Sequence, residues 1–194
     1  MATKKLLYLH GFNSSPKSEK AQKFKTYFNN TNSYDVIVPE LPPEPFEAIA
    51  LSSELIASET GIQGIIGSSL GGYYGLNLHA KFKLPLVLIN PAAKPYLLLQ
   101  AYIGENTNYY TGETYHVAPS HMEHLLALDV EESELDMARL FLLTQTQDEV
   151  LDYREAALKL CRAKMDIQRG GDHSYQRFER RLPSIESFFR SFEE

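Results

Sequence analysis

The chain has 194 residues, of which 43% are hydrophobic and 23% charged, and a formal net charge of −6. That length suits one domain with a sizeable core, and the composition does not favour a disordered chain. The acidic balance argues against a nucleic-acid partner, which needs a basic face to displace counterions, and against adsorption to anionic membranes.

In chain order, short aliphatic runs alternate with amphipathic ones. KLLYLHG (5–11) reads as a strand, SEKAQKFKTYFNN (18–30) as a helix with Ala21, Phe24, Tyr27 and Phe28 on one stripe, and DVIVPE (35–40) as a strand. The turn-rich PELPPEP (39–45) connects to a helix over 45–58, with Phe46, Ile49, Leu51 and Leu55 as its apolar positions. Further strands are IQGIIGS (62–68), LPLVLIN (84–90), RLFLLTQ (139–145) and KMDIQRG (164–170), with helices over 70–80, 152–163 and 182–192. Runs nearly continuous in Val, Ile and Leu mark strands buried on both faces. The alternation predicts a mostly parallel sheet of about six strands with helices on both faces. Residues 91–130 interrupt it. They are tyrosine-rich, show no obvious strand, and sit where an insertion over a pocket would sit.

The lone cysteine, Cys161, excludes an internal disulfide and fits a reducing compartment; on an amphipathic helix it reads as core. The apolar run at residues 6–9 is too short for a signal-peptide core, and no run of roughly 18 apolar residues occurs. The expected location is cytoplasmic.

Gly67-Ser68-Ser69-Leu70-Gly71 matches G-x-S-x-G, the pattern of a nucleophile elbow between a strand and a helix. The glycine frame selects Ser69 over Ser68, because Ile66 and Leu70 stand where glycines would be needed for Ser68. A glycine-rich turn without chemistry is the plainer alternative. There is no G-K-[ST] phosphate loop and no G-x-G-x-x-G. Gly72 and Gly75, poor helix formers, point to a helix lying close to the sheet.

A serine nucleophile needs an acid and a histidine, in the chain order serine, acid, histidine. Asp148 is the first carboxylate past the strand RLFLLTQ; Glu149 points elsewhere, and Asp152 reads as a helix N-cap. Among six histidines, His173 follows the last strand after two glycines. His10 ends the first strand, where His-Gly is a matter of backbone shape, and His79 lies in the helix after the elbow. His121 and His124 are three apart on a helix but lack a third ligand at a recognisable spacing, so no metal is expected. The backbone N–H groups of Phe12 and Leu70 are the natural oxyanion donors.

The stretches YLHGFNSSP, PELPP, GSSLGGYYG, NPAAKP, YTGETY, QTQDEVLDYR and GGDHSY closely resemble the small bacterial esterases of the YqiA type, within the α/β-hydrolases, over nearly the full length. The resemblance implies a three-layer α/β-hydrolase fold, a single domain with 91–130 as a short cap. It implies a cofactor-free hydrolase of carboxylic esters or of acyl thioesters such as acyl-CoA, with Ser69 as nucleophile, Asp148 as acid and His173 as base. Gln147 departs from the pattern, since glycine often precedes the acid in such hydrolases. Tyr96, Leu97, Leu98, Leu99 and Tyr102, with Tyr109 and Tyr110, are candidates to line a pocket for short to medium acyl chains, the leucines having helix core as the alternative. Arg177, Arg180 and Arg181 could meet a phosphate-bearing leaving group or simply form a solvated face. The expected partner is a small-molecule ester or thioester. An idle-site binding protein of the same fold, or a lyase or perhydrolase using the same residues, is the competing class.

Overall fold

The computed structural model describes residues 3–193. Its strands are β1 (Lys5–Leu9), β2 (Asp35–Ile37), β3 (Ile62–Ser68), β4 (Leu86–Ile89), β5 (Gly104–Thr107), β6 (Thr114–Val117), β7 (Leu140–Gln145) and β8 (Lys164–Gln168). Its α-helices are α1 (Glu19–Thr31), α2 (Pro45–Ser58), α3 (Leu70–Phe82), α4 (Pro95–Leu98), α5 (Pro119–Ala127), α6 (Tyr153–Lys159) and α7 (Leu182–Arg190).

Six strands form one sheet in the order β2–β1–β3–β4–β7–β8, and every pairing in it is parallel. The register places Ile37, Leu7, Ile65, Leu86 and Leu140 in one row across five strands. Strand side chains alternate between faces, and both faces are covered. Leu7, Leu9, Ile65, Leu88 and Leu142 pack on the face that carries α2, α3, α5 and α6. Leu6, Tyr8, Ile66, Val87 and Phe141 pack on the opposite face, against Phe24 and Phe28 of α1 and Ile185 and Phe188 of α7. The result is the three-layer architecture that the alternation predicts. Burying each such aliphatic side chain contributes about 1.5–3 kcal/mol.

Three details differ from the sequence reading. Residues 91–130 do contain strands: β5 and β6 form an antiparallel hairpin. Both are four residues long, β5 without an apolar residue and β6 with only Tyr115 and Val117, and Gly112 turns between them at φ 75°. Asn108 Oδ1 accepts from the N–H groups of Tyr110 and Thr111 in that turn. Helix α6 is shorter than 152–163. It starts at its N-cap Asp152 and gives way at Leu160, where the chain turns towards β8. Cys161 therefore lies in the turn, and it is exposed rather than core. No helix among the described residues is long and apolar enough to cross a membrane.

Parallel strands bring their C-terminal ends to one edge, where the loops after β3, β7 and β8 carry Ser69, Asp148 and His173.

Candidate active site

Ser69 sits between β3 and α3 with φ 54° and ψ −120°, a backbone region that side-chain-bearing residues avoid. Such a conformation costs on the order of 1–3 kcal/mol and persists only where the surroundings enforce it. Here Ser69 N–H donates to Ile89 O at 3.0 Å, and Ser69 O accepts from Gly72 N–H at 2.9 Å and Ala92 N–H at 3.1 Å. The glycine frame has a steric cause. A methyl on Gly67 would overlap the Gly71 carbonyl oxygen, and one on Gly71 would overlap the Leu9 carbonyl oxygen. Helix and sheet touch along α3 as the sequence suggests, with Gly75 against Leu86.

Ser69 Oγ lies 3.1 Å from His173 Nε2, and His173 Nδ1 lies 2.9 and 3.1 Å from the two Asp148 carboxylate oxygens. With Nδ1 facing a carboxylate, that nitrogen carries the proton, and Nε2 is left to accept from the serine hydroxyl. The Asp148 side chain is 1% exposed. Burial alone would raise its pKa. The hydrogen bond and charge of His173, together with the N–H groups of Leu151 and Val150, outweigh it and hold the carboxyl below its ordinary value. Gln147 does not disturb this turn. Its N–H donates to Gly170 O at 3.2 Å, and Asp148 N–H donates back to Gln145 O at 3.4 Å.

The loop carrying His173 is held by residues that composition and periodicity do not single out. Asn90 Nδ2 donates to the carbonyl oxygens of Asp172 and His173, at 3.0 and 3.2 Å. Asn90 Oδ1 accepts from Gln145 N–H at 3.0 Å. Gln145 Oε1 in turn accepts from the N–H groups of Asp172 and Gln176, and its Nε2 donates to Gln176 O. Glu149 does face the site, accepting from His173 N–H at 3.0 Å. Asn90 and Gln145 are polar residues at the C-terminal ends of buried strands, which is the signal that marks them.

After β1 the chain passes so close to Ser69 that a methyl on Gly11 would meet Ser69 Cβ at 3.0 Å. Leu70 N–H opens α3, and among the described residues neither it nor Phe12 N–H donates to a protein acceptor. His10 is committed to the backbone: Nδ1 donates to Gly11 O at 3.0 Å, and Nε2 accepts from Leu41 N–H at 3.2 Å. Burial lowers its pKa. The β5–β6 hairpin is fastened to the same loop. Asn108 Nδ2 donates to Ser14 O at 3.0 Å, and Tyr115 Oη donates to Asn13 Oδ1. The Phe12 ring packs edge-on against Tyr102 and Tyr115.

Two cavities flank this loop. One, of about 690 Å³, is bordered by Ser69, His173, Ser68, Lys20, Tyr109 and Tyr110. The other, of about 830 Å³, is bordered by Phe12, Leu70, Leu41, Pro42, Tyr74 and Tyr115. Neither is bordered by Tyr96, Leu99 or Tyr102. Leu99 is 6% exposed in the core, Tyr96 reaches towards Asp129 at 3.5 Å, and Tyr102 touches the site only through Phe12. Tyr109 and Tyr110, from the same candidate group, do reach a cavity. So does Arg177, whereas Arg181 pairs with Asp166 at 3.2 Å. Ser68 Oγ, buried beside Ser69, accepts from Lys20 Nζ at 2.9 Å. His124 pairs with Glu44 at 2.6 Å and stacks near His121; no group of three potential metal ligands occurs among the described residues.

Solved structures share this architecture across almost the whole chain. Est1E from Butyrivibrio proteoclasticus superposes with a TM-score of 0.75 at 13% identity, covering 98% of this chain and 88% of that one. The esterase domain of a Rhodothermus marinus protein gives 0.74 at 17% identity, covering 98% and 88%. A putative hydrolase from Agrobacterium vitis S4 gives 0.74 at 16% identity, covering 97% and 91%. At these identities the likeness establishes the α/β-hydrolase fold. The family model described as uncharacterised protein family UPF0227 matches residues 5–190, and the chain belongs to that family.

Proposed function

We propose that the protein is a serine hydrolase that cleaves carboxylic esters or thioesters of short to medium acyl chains through an acyl-enzyme on Ser69. The observation that carries this reading is the unbroken relay from Ser69 Oγ through His173 to the enclosed Asp148 carboxylate.

In this reading His173 Nε2 takes the Ser69 proton as Oγ attacks the acyl carbonyl. Asp148 keeps Nδ1 protonated and stabilises the imidazolium that forms. Negative charge develops on the carbonyl oxygen, where the N–H groups of Phe12 and Leu70 receive it. Leu70 is the first residue of a 13-residue helix, whose dipole favours an anion at that end. His173 then protonates the leaving group, and water repeats the sequence on the acyl-enzyme. The cavity bordered by Phe12, Leu41, Pro42 and Tyr74 suits the acyl chain, because these residues and Leu70 give it an apolar side that abuts the oxyanion donors, opposite a polar rim with Glu40 and Glu113.

The reading is tested by hydrolysis of an acyl series, as aryl esters and as thioesters, by wild type and Ser69→Ala. It requires turnover that falls by at least about 10³-fold in the variant. Equal rates in both proteins contradict it.

A further inference from the structure

Lys20 stands in the first turn of α1, and its half-buried side chain runs inward to the residue next to Ser69. An ammonium has three protons to donate, and Ser68 Oγ takes one. Lys4, Lys5, Lys23, Lys94 and Lys159 all pair with carboxylates. Lys20 does not: among the described residues no carboxylate oxygen lies within 4.0 Å of it, and Asp148 and Asp172 act on it only from further away. Burial lowers its pKa to about 8, so the group still carries its charge at neutral pH. A partly enclosed, unpaired charge costs stability that a counter-charge would restore.

The surrounding cavity supplies further donors. Ser18, the N-cap of α1, is 5% exposed at the wall, and its Oγ has no hydrogen-bond partner. It does not cap its own helix, so the first-turn N–H groups of that 13-residue helix also stay unsatisfied by it. Helix N-terminus, hydroxyl and ammonium together form an anion-binding set. Of the acidic residues of the wall, Glu19 and Glu179 both pair with Lys23, at 2.8 and 3.3 Å, and Asp172 Oδ2 accepts from Gln176 Nε2 at 2.9 Å, while the buried Asp172 Oδ1 has no partner among the described residues.

We propose that this cavity holds an anionic group, a carboxylate or a phosphate, on the leaving portion of the substrate, with the Lys20 ammonium as its receptor. The proposal rests on the hydrolase reading for its orientation. His173 must hand its proton to the leaving atom, and His173 borders this cavity and not the one beside Leu41 and Pro42. Ser68 and Ser69 are consecutive, so the charge must sit close to the scissile bond. That separates this group from a charge at the far end of a long carrier.

Three butanoate esters test it: 4-carbamoylphenyl as the neutral reference, 4-carboxyphenyl, and 4-phosphonooxyphenyl. The expected result is a kcat/KM for at least one anionic ester about 10-fold or more above the neutral one in wild type. Lys20→Met abolishes that preference, and Ser68→Ala, which keeps the ammonium, retains it. The two anionic arms distinguish carboxylate from phosphate. A ratio near one in wild type overturns the proposal. So does a ratio that Lys20→Met leaves unchanged while both rates fall together, since that is the signature of a purely structural lysine. Should wild type cleave none of the esters, the hydrolase reading fails on its own. Calorimetric binding of 4-hydroxybenzoate and 4-hydroxyphenyl phosphate to Ser69→Ala, with and without Lys20→Met, then decides the anion site. Binding that needs Lys20 supports it, and no binding overturns it.

Discussion

The side-chain amide of Asn90 donates to the backbone carbonyl of His173 at 3.2 Å, tying the end of β4 to the loop that presents the imidazole. Asn90 is 2% exposed and also receives Gln145 N–H, so one side chain joins the ends of β4 and β7 to the His173 loop. Asn90→Ala should cut kcat by about 10²-fold through misplacement of His173, with little change in KM. It should also cost about 1–3 kcal/mol of stability, from the donor and acceptors left unmade. Steady-state kinetics beside urea unfolding measure both, and a variant with unaltered kcat would show that the loop holds itself.

Asp148→Asn keeps the shape of the turn but removes the charge that fixes the His173 tautomer. Turnover should fall about 10⁴-fold with the fold intact. Near-normal turnover in the folded variant would mean that Glu149, or no carboxylate at all, supports the imidazole.

A side chain at Gly71 has nowhere to go, because the atoms it meets are the backbone carbonyls of Leu9 and His10. Gly71→Ala should lower stability by about 1–3 kcal/mol. It should also lower activity by more than the loss of folded protein explains, since relief requires shifting the loop after β1 that lies against Ser69. Thermal denaturation and activity per folded molecule check this, and an unperturbed variant argues against the close packing described for α3.

His79 is completely buried and neutral, with Nδ1 donating to Leu84 O at 2.7 Å and Nε2 accepting from Asp136 N–H at 3.1 Å. Burial lowers its pKa. Lys83 and Arg139 push the same way, and the Leu84 carbonyl and Asp136 carboxylate only partly oppose. The unfolded chain therefore takes up this proton near pH 6.5, where the folded one does not. The contribution is complete above pH 6.5 and is lost as pH falls towards the depressed folded value. Stability should drop by up to about 1.4 kcal/mol per pH unit for this group below pH 6.5. His10, shifted the same way by burial, adds to the slope. Urea unfolding at pH 7, 6 and 5 should show a flatter profile in His79→Gln, and parallel profiles would refute the assignment.

The sheet was legible because β4 is wholly aliphatic and β7 opens on four consecutive apolar residues, as strands covered on both faces do. Ser69, Asp148 and His173 could be picked out because each lies within about five residues of the C-terminal end of a strand. What stayed hidden depends on contacts distant in sequence. Lys20 looks like one more charge on an amphipathic helix until α1 is laid beside Ser68, 48 residues on. Strand β5, Gly-Glu-Asn-Thr, has no apolar residue, and the alternation of β6 spans only Tyr115 and Val117, too short to betray a hairpin that Asn108 and Tyr115 fasten to the loop after β1. Leu99 has the apolar character of a pocket residue, but the same character serves a core, and the core claims it.

Ser69, and not its neighbour Ser68, is the proposed nucleophile. Intact-protein and peptide mass spectrometry after treatment with a fluorophosphonate tests it most directly. One adduct per wild-type chain is expected, located on Ser69, and none on Ser69→Ala. An unlabelled but folded wild type, or an adduct on Ser68, would contradict it.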